Sequence, residues 1–236
     1  MSRFVRGVLA ALVFAAFGVG SIFATPVFLL PCPAPFRRRV VCATYRLLSM
    51  ALRGLGLVGI SISDADRAAL RALKGRIVVM NHLTFLDIVV LSSLLGDSTC
   101  IVKSATLRNP FLSLVSRRVL LSNDDPVRVV VEAGRVLADG VNLVVFPEGT
   151  RGDGVALLPL KRGAAQLSIR CRAPVVVVRL SCDPLVLGKG MRWWDACDRR
   201  SVYSLAVCGE VVPPPDCGPV AARTMTDEIS AMLKGK

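Results

Sequence analysis

Hydrophobic positions along this chain follow two different patterns, and the change between them comes near residue 60. Residues 7–30, GVLAALVFAAFGVGSIFATPVFLL, carry no charge. From Gly7 to Thr25 is nineteen residues, about 28 Å of helix against a bilayer core of about 30 Å. Three readings follow: a spanning helix, a re-entrant or interfacial anchor, and a cleaved signal peptide. The signal peptide fits worst, because the apolar stretch is too long for one. The proline-rich link Pro31-Cys32-Pro33-Ala34-Pro35 separates this segment from residues 40–59, VVCATYRLLSMALRGLGLVG, which read as a second helix. Its arginines stand seven apart and its apolar surface is wide, suited to lying on a membrane or beside the first helix.

From residue 64 short apolar runs alternate with helical stretches. The pattern predicts strands over Arg76–Met80, Thr99–Lys103, Val119–Ser122, Asn142–Phe146, Pro174–Leu180 and Val202–Val207. It predicts helices over Asp64–Leu73, Phe85–Leu95, Pro110–Ser116, Pro126–Asp139, Lys161–Arg170 and Val220–Leu233. Near-continuous Val/Ile/Leu strands interleaved with helices indicate an α/β layer with a largely buried sheet. Residues 1–60 therefore read as a membrane-associated helical region and residues 61–236 as one α/β domain.

Composition narrows the partners. The chain of 236 residues is 53% hydrophobic, with 30 Lys+Arg against 17 Asp+Glu, a net charge of +13. That charge favours an anionic partner: nucleic acid, an acidic membrane surface or a phosphorylated substrate. Nucleic acid is excluded as the working choice, since aromatics are only 6% and no zinc-finger or RNA-binding pattern occurs. Membrane lipids are the expected partner. Arg37, Arg38 and Arg39, followed by Arg46 and Arg53, outweigh Arg3 and Arg6, which places the bulk of the protein on the cytoplasmic side if the first helix spans. The eight cysteines never approach C-x-x-C spacing and read as thiols in a reducing compartment. With a single histidine and no close cysteine pair, neither a metal nor a bound cofactor is expected.

That histidine stands in Asn81-His82-Leu83-Thr84-Phe85-Leu86-Asp87, directly after the strand ending at Met80. α/β sheets place ligands at the carboxyl ends of strands. Thr84-x-x-Asp87 reads as a capping box opening the next helix. With His82 in the loop and Asp87 in the first turn, the carboxylate can fold back to a ring nitrogen, giving a His–Asp pair for general-base work. The plainer alternative is that Asp87 only caps the helix and His82 is a polar loop residue. A second block, Phe146-Pro147-Glu148-Gly149-Thr150-Arg151, also follows a strand. Gly149 permits close backbone approach, Thr150 offers a hydroxyl and Arg151 a planar fork suited to phosphate. Lys161 and Arg162, which open the next helix, strengthen an anion-site reading over that of a charged surface turn.

The two blocks together resemble those of the glycerophospholipid acyltransferases of the 1-acylglycerol-3-phosphate acyltransferase type. Residues 81–87 are similar to their N-H-x-S-x-x-D block, and residues 146–151 match their F-P-E-G-T-R block. The resemblance implies a single mixed-sheet acyltransferase domain flanked by helices, with an N-terminal helical membrane anchor. It implies transfer of an acyl group from acyl-CoA or acyl carrier protein to the hydroxyl of a lysophospholipid, 1-acylglycerol-3-phosphate giving phosphatidate, without a bound cofactor or metal. In that scheme His82 removes the proton of the acceptor hydroxyl and Asp87 holds the imidazole. Glu148, Gly149, Thr150 and Arg151 bind the acceptor head group, with Lys161 a weaker candidate for the same task, while Asn81 and Thr84 shape the loop.

Departures from the family pattern lie between the blocks. Pro110 to Pro126 contains no glycine and ends in Ser122-Asn123-Asp124-Asp125, acidic where a cation is expected. Arg117, Arg118 or Arg128 would have to substitute. The proline often seen in the later apolar strand is missing from Val175–Val178. Three alternatives stay open: a non-standard lipid acceptor such as an aminoacyl lipid, a catalytically silent lipid-binding protein on the same fold, and a hydrolase. The hydrolase would have to do without a G-x-S-x-G elbow. The adjacent Trp193 and Trp194, flanked by cations, suit an interfacial belt or a lid over an acyl groove, or ordinary packing.

Overall fold

The computed structural model describes residues 2–103, 119–123, 125–192, 194–215 and 218–235. The helix expected over Pro110–Ser116, the cations Arg117 and Arg118, and Trp193 lie outside them. In chain order the described elements are α1 (Arg3–Leu29), α2 (Ala34–Gly54), β1 (Val58–Ser61), α3 (Asp64–Ala72), β2 (Ile77–Met80), α4 (Asp87–Leu94) and β3 (Ser98–Val102). They continue with β4 (Leu121–Ser122), α5 (Pro126–Ala138), β5 (Asn142–Val145), α6 (Gly163–Cys171), β6 (Val175–Asp183), β7 (Ser201–Val211) and α7 (Pro219–Lys234).

The strands form one sheet in the order β1-β7-β6-β2-β5-β3-β4. Among the described residues only β6 and β7 pair antiparallel and the other neighbours are parallel, so the sheet is mixed. Both faces are covered, which is why β2 is apolar throughout and Leu143–Val145 of β5 and Val175–Val178 of β6 are continuous apolar runs rather than alternating ones. Along β2 successive side chains go to opposite cores. Val78 and Met80 join Leu48 and Leu52 of α2 and Leu91 and Leu94 of α4. Ile77 and Val79 join Val129 and Ala133 of α5, Leu167 of α6 and Ile229 of α7.

The amino-terminal region departs from expectation. The second helix ends at Gly54 rather than Gly59. Residues 58–61, the end of the same apolar run, instead form β1 and pair with β7. Gly56, at φ +67°, makes the turn between them. A boundary at residue 60 therefore runs through a strand of the sheet, and Leu48 and Leu52 make α2 a layer of the domain. The helix α1 continues through Pro26 to Leu29. Its inner side docks on the domain through Val13, Phe14 and Phe17. Arg6 Nη1 donates to the Gly56 carbonyl at 2.8 Å and Arg3 Nε to that of Ala196 at 2.9 Å. Its outer side exposes Phe4, Leu12, Val19, Ile22 and Phe23, and Arg3–Phe23 has a mean hydropathy of 2.0. This helix is long and apolar enough to cross a membrane.

Asp125, counted above as an acid where a cation was expected, caps α5: its carboxylate accepts from the amides of Val127 at 3.0 Å and Arg128 at 3.2 Å.

Candidate active site

Because β2 and β5 are parallel neighbours, the loops that leave them emerge side by side at one sheet edge. The first carries His82 and Asp87, the second Phe146 to Arg151. Their junction is dense. His82 N–H donates to Glu148 Oε1 at 2.7 Å, and Gly152 N–H donates to the His82 carbonyl at 2.7 Å. The imidazole stacks on Phe146 with ring centres 4.3 Å apart.

Asp87 is fully buried, and it is the first residue of α4. The helix starts there and not at Phe85, because residues 84–86 form a tight turn held by Thr84. The Thr84 hydroxyl accepts from Leu86 N–H at 3.1 Å, and Asp87 reaches back to accept from Thr84 N–H at 2.8 Å. Oδ2 also accepts from Leu83 N–H at 2.6 Å and from His82 Nδ1 at 2.8 Å, and Oδ1 accepts from the Thr84 hydroxyl at 2.6 Å. Four donors thus meet one buried carboxylate, which suits its ionised, acceptor-only form. The sequence left open whether Asp87 caps the helix or holds the histidine; it holds the histidine. Its carboxylate turns back to the loop amides of Leu83 and Thr84, while α4 starts after Leu86 with no side-chain cap. With Nδ1–H committed to Asp87, Nε2 is left as the basic ring nitrogen.

The ring lines a cavity of about 720 Å³. Much of its lining is apolar, with Ile88, Ile101, Val102 and Val129 beside Tyr45. The buried groups here stay neutral: burial pushes the Cys100 thiol up to about 12, and burial, with the Cys100 and Cys42 thiols next, raises the Tyr45 hydroxyl too. The lining also carries Lys103, Arg151, Lys161 and Arg170, and no carboxylate occurs among the described lining residues. Such a lining selects an amphipathic anion.

Of the residues singled out in the second block, Gly149, Thr150, Arg151 and Lys161 reach this cavity. Gly149 has φ +66°, and Lys161 packs where a Cβ would stand, 3.0 Å from Nζ. A side chain there would meet both strain and the lysine. Arg151 Nη1 donates to the carbonyls of Leu187 at 2.9 Å and Gly188 at 3.2 Å, which fixes the guanidinium at the wall. Glu148 is different. It is 5% exposed and does not line the cavity; Oε2 accepts from Leu158 N–H at 3.1 Å while Oε1 holds His82 N–H. Its carboxylate braces the histidine loop instead of facing a ligand. Arg128 also points elsewhere, pairing with Glu132 at 2.7 Å on the solvent side of α5. Asn81 ties its loop to β6 through reciprocal bonds with Leu180, 2.8 and 2.7 Å. Trp194 lies under Arg192, 5.7 Å from guanidinium carbon to ring centre, outside the described cavity wall.

Sequence reasoning missed Tyr45, Lys103, Arg170 and Tyr203. The first three line the cavity. The hydroxyl of Tyr203 lies 2.9 Å from that of Thr84, 119 residues earlier. No local spacing signals such pairings, which depend on how distant elements meet.

A half-buried histidine on a buried aspartate thus stands at a strand end of a mixed α/β sheet, its ring lining a cavity whose walls hold both cations and apolar side chains. The acyltransferase family model matches residues 62–181, and the chain belongs to that family. It is 27% identical over 130 residues to human 1-acyl-sn-glycerol-3-phosphate acyltransferase beta, covering 51% of this chain and 46% of that protein. It is 36% identical over 116 residues to the lyso-ornithine lipid O-acyltransferase of Rhizobium meliloti, covering 45% and 38%. The chain thus spans less than half the length of these curated relatives. The crystal structure of PlsC, the 1-acyl-sn-glycerophosphate (LPA) acyltransferase of Thermotoga maritima, shares the fold, with a TM-score of 0.71 at 18% identity over 99% of this chain and 94% of that one.

Proposed function

We propose that the protein transfers a fatty acyl group from a thioester donor, acyl-CoA or acyl carrier protein, to the free hydroxyl of a lysophospholipid. The acceptor expected first is 1-acylglycerol-3-phosphate, giving phosphatidate. The observation that carries this reading is the 2.8 Å bond from His82 Nδ1 to the buried Asp87, which leaves Nε2 basic on a ring lining the cavity. The acceptor hydroxyl gives its proton to Nε2 as its oxygen attacks the thioester carbonyl. Asp87 holds the tautomer and stabilises the imidazolium that forms. The tetrahedral intermediate collapses, the C–S bond breaks, and the imidazolium returns the proton to the departing thiolate. No acyl-enzyme forms, because the substrate's own hydroxyl is the nucleophile.

Arg151 and Lys161 bind the acceptor's phosphate, and the apolar wall takes an acyl chain. The exposed apolar side of α1 rests in the cell membrane, with the catalytic domain on the cytoplasmic side, where Arg37, Arg38 and Arg39 stand. A second reading concerns the acceptor alone. The 36% identity to a lyso-ornithine lipid acyltransferase favours an aminoacyl lipid in place of a lysophosphatidate.

Membranes containing the protein, supplied with acyl-CoA or acyl carrier protein and a panel of lysophospholipid and lyso-aminolipid acceptors, test both readings. Mass spectrometry should show one new diacyl product. A lyso-aminolipid product would select the second reading. Absence of any acylated product, with thioester consumption at background, would overturn both and leave a silent lipid-binding protein.

A further inference from the structure

We propose that Tyr203 is a positioning residue for the His82–Asp87 pair, acting through a proton-ordered chain that runs Tyr203 to Thr84 to Asp87. This rests on the acyl-transfer reading above.

The order of the protons follows from counting. Thr84 has one hydroxyl hydrogen and three polar neighbours of Oγ1. Asp87 Oδ1, at 2.6 Å, can only accept, so the hydrogen points there. Leu86 N–H, at 3.1 Å, can only donate. The Tyr203 hydroxyl, at 2.9 Å, must then donate to Thr84. It stays protonated to do so, since burial, ahead of the neighbouring Cys182, raises its titration far above the usual range. Cys182, itself pushed up to about 11 chiefly by burial, is a neutral thiol that also shares a hydrogen bond with the Tyr203 hydroxyl. Tyr203 belongs to β7, and both it and Thr84 are fully buried, so solvent cannot replace a missing partner.

A donor that pulls on Thr84 Oγ1 makes the hydroxyl a better donor to Asp87. Oδ1 is thereby anchored on one side while Oδ2 faces the imidazole. Without the tyrosine hydroxyl, Thr84 Oγ1 keeps only the Leu86 N–H as a donor, its own bond to Oδ1 weakens, and that oxygen is held less firmly while the amides of Leu83 and Thr84 still hold Oδ2. A tyrosine that merely fills the core would be indifferent to this, since its ring packs equally well as phenylalanine.

The single histidine makes the test clean. Full-length protein in detergent, labelled with ¹⁵N-histidine, gives one pair of ring-nitrogen signals, read beside steady-state kinetics. Wild type should show Nδ1 protonated and Nε2 bare. In Tyr203→Phe the tautomer signals should mix, and kcat should fall about three- to tenfold, the worth of one hydrogen bond, with both KM values unchanged. Thr84→Ser, which keeps the hydroxyl, should keep the wild-type ring signals; Thr84→Val should mix the tautomers as Tyr203→Phe does, whether or not the latter folds. Unchanged ring signals in both Tyr203→Phe and Thr84→Val would overturn the proposal, as would a lower Tm in Tyr203→Phe with unchanged signals. Should wild type transfer no acyl group, the ring signals still decide the chain, so the two failures remain distinct.

Discussion

The loop after β2 and the loop after β5 look equivalent in sequence, each a short polar block at the end of an apolar strand, yet they are built oppositely. In the first, the polar atoms of Asp87 and Thr84 are consumed internally by His82, Leu83, Leu86 and Tyr203. In the second, Thr150, Arg151 and the nearby Lys161 are turned to the cavity. A closed network fixes one atom for chemistry, and an open cationic wall binds whatever anion fits. Glu148 crosses the divide. It sits in the second block by sequence but belongs to the first by its hydrogen bonds.

Substitutions should therefore split into losses of turnover and losses of binding. Apart from His82 itself, the largest loss is expected at Asp87→Asn. An amide would set an N–H₂ against donors and invert the tautomer, lowering kcat by about 10²- to 10⁴-fold. Steady-state kinetics over a range of acceptor concentrations check it; a change confined to KM would break the comparison.

Glu148→Gln comes next. One of the two amides, His82 N–H or Leu158 N–H, would lose its acceptor, a cost of about 1–3 kcal/mol for a buried donor. Thermal unfolding should show a lower Tm, and kcat should fall while the acceptor KM holds. A raised KM with normal stability would instead return Glu148 to the substrate side, where the motif alone had placed it.

Arg151→Lys is the mildest. An ammonium keeps the charge but loses the planar fork and the two-carbonyl anchor on Leu187 and Gly188. The acceptor KM should rise about tenfold, the equivalent of about 1.4 kcal/mol, with kcat nearly unchanged. Titrating acceptor at saturating donor reads this directly.

These divisions show what was legible beforehand. The His82–Asp87 pair was, because its geometry is local: a strand end, a one-turn loop and a helix start place both groups within five residues. The orientation of Glu148 was not, since a six-residue turn does not declare which side chains face inward. β1 was hidden because its apolar residues continue those of α2, and only Gly56 at positive φ separates them. Asp125 has a local role as well: it caps the first turn of α5, taking the amides two and three residues on.

The most direct measurement is acyl transfer by His82→Ala beside wild type, paired with equilibrium binding of the lysophospholipid acceptor and a membrane flotation assay. The account predicts that transfer falls by at least about 10²-fold, while acceptor binding and membrane association stay at wild-type levels. Residual transfer near wild type, or loss of acceptor binding with the histidine, would contradict the assignment of chemistry to the first loop and binding to the second.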